Sequence, residues 1–263
     1  MAIRLADRSL WPESIIPDIR AKASRDLFFF CKDLLHFTLL EEEPHGKLCQ
    51  WLLQPRPAGE FGVRKRLVLM PRTTFKTSII TVGRNLQEIC GDPNVRVLID
   101  SDLRANSKKV ASAIRWQLES NPRLQQLYGN LVAAKGWTED WFTVPRTMGY
   151  KEPTVMTGGM DQVVVMLHFR KIYGDDLVNH TNVNTKEQLE KTFDHIQLYE
   201  GLTELSEAEP AEVEILLTGT RWDDNDAYMR ILRSSGLTDA QIQFSAFRGL
   251  ISVALLKAFC ASS

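Results

Sequence analysis

An apolar run of strand length, Leu67-Val68-Leu69-Met70, breaks into Pro71-Arg72-Thr73-Thr74-Phe75 and resumes as a helix-like segment headed by Lys76-Thr77-Ser78. A strand that empties through a short turn into a helix is half of a βαβ unit, so it points to a parallel sheet with crossover helices. The turn also has a chemistry. Backbone N–H groups at a helix start face outward, and a lysine followed by a hydroxyl suits a polyphosphate and its Mg²⁺. Such loops usually carry glycine at both ends, where backbone approaches phosphate closely. Here Met70 and Phe75 stand in those places.

Downstream the alternation repeats. Val95-Arg96-Val97-Leu98-Ile99-Asp100 reads as the next strand, and Ser101 or Asp102 can cap the helix after it. In that helix Val110, Ile114 and Leu118 recur at four-residue spacing until Asn121-Pro122 ends it. Shorter strand-like pieces include Phe142-Thr143-Val144 and Gln162-Val163-Val164-Val165-Met166-Leu167. A long helix is expected over 185–204, a strand over 213–218 and one more over 241–247. Residues 1–60 read instead as helices: 26–35 is apolar on nearly every side, and the helix begun at Pro44 is stopped by Pro55 and Pro57. The expected organisation is an N-terminal helical segment at 1–60, an α/β core at 61–248 and a tail at 249–263. That tail reads as a truncated end, an appended remnant or a final helix.

A chain of 263 residues accommodates one large α/β core or two small ones, and 44% hydrophobic with 25% charged residues is a globular balance. Net charge is −1, so a nucleic-acid surface would have to be a local patch. Cys31, Cys49, Cys90 and Cys260 lack the paired spacing of a zinc site and read as buried thiols of a reducing compartment. No segment approaches the roughly 20 apolar residues of a membrane span, and no signal-peptide core is expected at the N-terminus.

Two carboxylates, Asp175 and Asp176, end the strand-like segment His168-Phe169-Arg170-Lys171-Ile172-Tyr173-Gly174. Nucleotide hydrolysis needs one acid at a strand end to hold Mg²⁺ and a second to orient the attacking water. Adjacent residues can serve both roles because the chain is leaving the sheet there. A later strand finishes in Thr218-Gly219-Thr220-Arg221, which presents hydroxyls and a guanidinium at the carboxyl edge where ligands of open α/β sheets bind. Arg146 follows a tryptophan-led segment, Trp137-Thr138-Glu139-Asp140-Trp141. Arg104, Lys108 and Lys109 cluster after a strand end with no acid between them, the best local candidates for phosphate-directed DNA contacts.

In this order the pieces resemble the ATPase half of the large terminase subunit of tailed bacteriophages, the motor that packs DNA into a preformed capsid. The resemblance spans residues 25–235 and rests on the loop Pro71-Arg72-Thr73-Thr74-Phe75-Lys76-Thr77, the acidic end Ile172-Tyr173-Gly174-Asp175-Asp176 and the element Thr218-Gly219-Thr220-Arg221-Trp222. Residues 101–109 and 118–122 are similar to the segment after the family's second strand. The resemblance implies an α/β P-loop NTPase of the RecA-like (ASCE) kind, with a largely parallel central sheet flanked by helices and additional N-terminal helices. It implies ATP as substrate with Mg²⁺, bound by the loop from Pro71 to Ser78, with Lys76 at the β/γ phosphates, Thr77 on the metal and Arg72 as a second cation. Asp175 would hold Mg²⁺ and Asp176 would take the catalytic carboxylate position. Thr218, Gly219 and Thr220 would couple hydrolysis to movement, and Arg146 would be a finger given to the adjacent subunit. The implied partners are double-stranded DNA, a portal protein and a small terminase subunit, in a homo-oligomeric ring docked on a procapsid in the infected host's cytoplasm.

The sequence departs from the family at Phe75 and at Asp176, where many relatives have Glu, and the family's nuclease domain has no counterpart in it. Two other readings stand beside this one. A RecA-like helicase should carry a second lobe, for which there is no room after residue 235. A nucleotide-binding scaffold with little hydrolysis is compatible with Phe75 and Asp176.

Overall fold

The computed structural model describes residues 10–55, 62–203, 213–234 and 252–256. Within them one sheet contains β1 (Arg64–Leu69), β2 (Val97–Ser101), β3 (Trp141–Phe142), β4 (Val155–Thr157), β5 (Lys171–Asp175), β6 (Glu214–Gly219) and β7 (Ser252–Leu256). Their spatial order is β3-β4-β2-β5-β6-β1-β7. The strands from β4 to β1 are mutually parallel, and the outer strands β3 and β7 run antiparallel to their neighbours. Parallel pairing requires crossover connections between the strands, and it gathers all the carboxyl ends of those strands at one edge.

The helices are α1 (Ile16–Arg25), α2 (Leu27–Phe29), α3 (Lys47–Leu52), α4 (Asn85–Gly91), α5 (Arg104–Ser120), α6 (Pro122–Tyr128), α7 (Lys186–Gln197) and α8 (Ala227–Ser234). A wide π-type turn, Thr77–Arg84, leads into α4, and another, Phe30–Leu34, continues α2. The two faces of the sheet follow from strand alternation. Val68, Val97, Ile99, Tyr173 and Leu216 join one core with Leu27, Phe30, Ile79, Leu86, Ile114 and Leu124 from the N-terminal, loop-following and α5–α6 segments. Leu67, Leu98, Ile172, Ile215 and Leu217 join the other with Ile196, Tyr199, Tyr228 and Ile231 from the α7–α8 side. The sheet is therefore the middle of three layers.

The N-terminal helices dock on the first face through both packing and carbonyl capture. Gln117 and Asn121 donate to the carbonyls of Leu35 and Leu34, and Gln87 donates to Ala23. Gly83 shows how tight the fit is: a Cβ there would lie 2.3 Å from the Cys31 sulfur. Cys31, Cys49 and Cys90 are free thiols, and burial pushes those of Cys31 and Cys90 up.

Several local expectations shift. Residues 162–167 are a loop rather than a strand, because both ladder positions beside β2 are taken by β4 and β5. Val165 and Met166 in that loop are 63% and 84% exposed. The α5 helix is not capped by Ser101 or Asp102: its first N–H, that of Arg104, donates to Asp161 from the 162–167 side of the molecule. Asn121 ends α5 as expected and also caps α6 by accepting from Arg123 and Leu124. Thr185 and Gln188 form a reciprocal capping box at the start of α7, which passes into a tight turn at Leu198–Leu202. Part of the 249–263 tail is an edge strand on β1 rather than a helix. The strand expected over 241–247 lies outside the described residues. Among the described residues no helix is long and apolar enough to cross a membrane.

Candidate functional site

The segment after β1 turns at 71–75 and enters its helix at Lys76. The helix opens with Ile79 donating to the Phe75 carbonyl at 2.9 Å. Thr73 and Phe75 take left-handed backbone with φ of 65° and 58°, as a glycine would. A left-handed residue bearing a Cβ costs roughly 1–2 kcal/mol, so the loop is held against local preference by its surroundings. Phe75 is held by its ring, which meets His45 edge-on at 5.6 Å and packs on the first core. Met70 is tied to β6, donating to Gly219 and accepting from the Thr220 hydroxyl at 3.1 Å.

β5 delivers the acids to the same place. Because β5 lies two strands from β1, with β6 between, Asp175 faces the loop helix across one strand width. Thr77 donates its hydroxyl to Asp175 Oδ1 at 3.1 Å, and Lys76 Nζ lies 3.2 Å from Asp176 Oδ2. The ammonium and the aspartate pair thus converge at the carboxyl edge. Lys76 and Asp175 are buried, while the Asp176 side chain is 46% exposed. Burial, and then the neighbouring Asp176 charge, raise the Asp175 carboxyl from 3.8 to about 7, against the opposing pull of the Thr77 hydroxyl and Lys76. Asp176 itself has φ 48° and donates its N–H to the Thr218 carbonyl at 2.9 Å.

Thr218 pairs with Asp175 in register, and its hydroxyl is buried with no hydrogen-bond partner. Gly219 lets Tyr228 close in, since a Cβ there would fall 2.5 Å from the phenol ring. Arg72 stacks its guanidinium 4.6 Å from the centre of Trp222, whose other neighbour is the His180 ring at 5.6 Å. The site therefore gathers Arg72, Lys76, Thr77, Asp175, Asp176, Thr218 and Thr220. Two hard oxygen donors, the Thr77 hydroxyl and the Asp175 carboxyl whose proton a cation would displace, with the unpartnered buried Thr218 hydroxyl next to them, fit Mg²⁺ by their chemistry. Among the described residues no group of three or more His, Cys, Asp or Glu could hold a metal, so a metal here would complete its shell from water or phosphate.

Other expected site residues lie elsewhere. Arg146 donates to the carbonyls of Glu152 and Tyr150, both at 2.8 Å, and packs on the Tyr150 ring together with Arg96, which precedes β2 at the sheet's amino edge. It is not part of this chain's own cluster. Arg104 and Lys108 both pair with Asp140, at 3.1 and 2.7 Å, and Lys109 donates to Asn106. An acid from another part of the chain is thus supplied in space, and it offsets one of the three positive charges of this patch. Lys108 holds the Asp140 carboxyl below its usual range.

Sequence reasoning missed Tyr228 and the buried trio Asp100, His195 and Tyr199. His195 Nε2 and Tyr199 Oη reach Asp100 Oδ2 at 2.7 and 2.9 Å on the opposite face of the sheet from Asp175. A surface cavity of about 660 Å³ bordered by Met160, Val163, Glu190 and His195 lies on that side, away from the loop. Nothing local in the sequence links Tyr228 to Asp176, because their proximity comes from α8 packing under β6. Against models of known protein families and against curated proteins, the chain matches none.

Proposed function

We propose that this chain binds a nucleoside triphosphate with Mg²⁺ at the loop 71–78 and hydrolyses it, as a P-loop ATPase. The convergence of Lys76 and Thr77 with Asp175 and Asp176 carries this reading. The strand order supports it too: β6 is inserted between the loop-bearing and acid-bearing strands, as in ATPases of the RecA-like kind.

Lys76 rests on Asp176. When a triphosphate arrives, the ammonium exchanges that carboxylate for β/γ oxygens. Asp176, half-exposed and released, accepts the proton of the attacking water as the bond between the γ-phosphorus and the bridging oxygen breaks. The Thr77 hydroxyl and the Asp175 carboxylate would hold Mg²⁺, which when bound offsets phosphate charge as a Lewis acid. Arg72 exchanges Trp222 for phosphate, so occupancy of the loop is felt by the segment after β6. Work on DNA in a packaging motor of the terminase type rests on the sequence resemblance. The pairing of Arg104 and Lys108 with Asp140 reduces the charge which that patch could offer to DNA. An arginine contribution from Arg146 would have to come from a neighbouring subunit, so the isolated chain should turn over slowly.

The test is steady-state phosphate release with Mg²⁺ and ATP by wild type, Lys76→Ala and Asp176→Asn, alongside binding of a non-hydrolysable analogue. Both variants should be inactive, and Lys76→Ala should also lose binding. Equal release by wild type and Lys76→Ala ends the proposal.

A further inference from the structure

We infer that Tyr228, reaching from the layer opposite the loop, is a positioning residue that fixes the Asp176 carboxylate for hydrolysis. This rests on the nucleotide-hydrolysis reading above and extends it to a residue that neither motif contains.

Tyr228 is fully buried in the second core, yet its phenol oxygen passes to the carboxyl edge beneath Gly219. There it makes three polar contacts. The backbone N–H groups of Leu177 and Val178 donate to it at 3.1 and 3.4 Å, and its own hydroxyl donates to the Thr218 carbonyl at 3.3 Å. That same carbonyl accepts the N–H of Asp176. Three consecutive N–H groups, those of residues 176 to 178, are thus collected by one carbonyl and one phenol. The left-handed φ of Asp176 is local strain, and strain of this kind persists only where surrounding bonds over-determine the backbone. In this turn the phenol is the over-determining group.

The phenol is itself well placed. Asp226 accepts from the N–H groups of Trp222 and Met229, pinning the start of α8 two residues before Tyr228. Gly219 must be glycine for the ring to pass, and Gly174 leaves room for Leu177 and Leu217 beside it. The apolar body of the ring packs whether or not the oxygen is present. Removing the oxygen therefore leaves the ring packing in place and takes from the turn the acceptor of the 177 and 178 N–H groups.

Tyr228→Phe keeps the ring and removes only the oxygen. The experiment compares wild type, Tyr228→Phe and Lys76→Ala in three measurements: analogue binding with Mg²⁺, the kcat and KM for ATP, and amide exchange at Leu177 and Val178. For Tyr228→Phe, binding and KM should stay within about twofold while kcat falls roughly tenfold to a hundredfold, the scale of a small misplacement of a catalytic group. Amides 177 and 178 should exchange faster, with other core amides unchanged. Wild-type kcat in Tyr228→Phe overturns the inference and leaves the ATPase reading standing. So does a matched loss of binding and kcat, since that is what a merely structural role would give. Wild type without Lys76-dependent hydrolysis overturns both.

Discussion

Asp175 and Glu214 are both buried carboxylates on the same face of adjacent strands, one at the carboxyl edge of the sheet and the other at the amino edge. Burial pushes both upward, yet they end far apart. Around Glu214, burial is outweighed by Lys171, Arg66 and Arg84 together, and the carboxyl falls to about 2. Arg66 forms an ion pair with it and also donates to the carbonyls of Trp51 and Leu52, so the amino edge is electrostatically closed. Asp175 has a hydroxyl, and the nearest ammonium is engaged by Asp176. The same chemical group is a finished structural joint at one edge and lacks a cation of its own at the other. A buried acid that only a hydroxyl supports is disfavoured in its charged form, which keeps the Asp175 carboxyl high.

This contrast is broken most directly by neutralising each acid in turn. Glu214→Gln should destabilise the protein by about 3–5 kcal/mol in urea unfolding, because three cations lose their shared partner. Asp175→Asn should act in the opposite direction at pH 8, stabilising by roughly 2–4 kcal/mol while abolishing Mg²⁺-dependent turnover. If both substitutions destabilise equally, the two edges are not different in kind.

The pH dependence sharpens it. Asp175 titrates at about 7 when folded and 3.8 when unfolded, so the folded chain holds the extra proton between those values and stability falls as pH rises through them. Glu214, at about 2 against 4.5, gives stability that is complete above 4.5 and lost as pH falls toward 2. Unfolding free energy should peak where the two windows overlap, between 3.8 and 4.5, and Asp175→Asn should remove the decline on the alkaline side only. Smaller effects are expected where the polar groups are peripheral. Arg146→Ala should cost about 1–2 kcal/mol by losing two charged hydrogen bonds to carbonyls, with ATP turnover of the isolated chain unchanged. Asp140→Asn should change stability by less than about 0.5 kcal/mol but raise affinity for DNA at low salt, if the freed Arg104 and Lys108 lie where DNA passes.

The parallel sheet, the loop at 71–75 and the paired acids were legible because each is a short-range pattern: a run, a breaker, a change of period. Convergence of Lys76 with Asp176 followed from topology, since parallel strands put their carboxyl ends together. What was illegible depended on contacts between distant segments. Asp140 pairs with both Arg104 and Lys108 from another part of the chain, and the apolar run 162–167 has strand composition but no vacant ladder. Phe75 looked like an obstacle to the loop. Its left-handed backbone instead shows tertiary packing against His45 overriding the preference for glycine.

The contact between Gly83 and Cys31 clamps the helix behind the loop to the amino-terminal layer. With no space for even a methyl group between them, the helix behind the loop cannot slide against the amino-terminal layer without prising the two apart. On the proposed reading, any movement that nucleotide binding sets off at the loop would be taken up on the other side, by the segment that runs from Thr218 through Trp222 into α8.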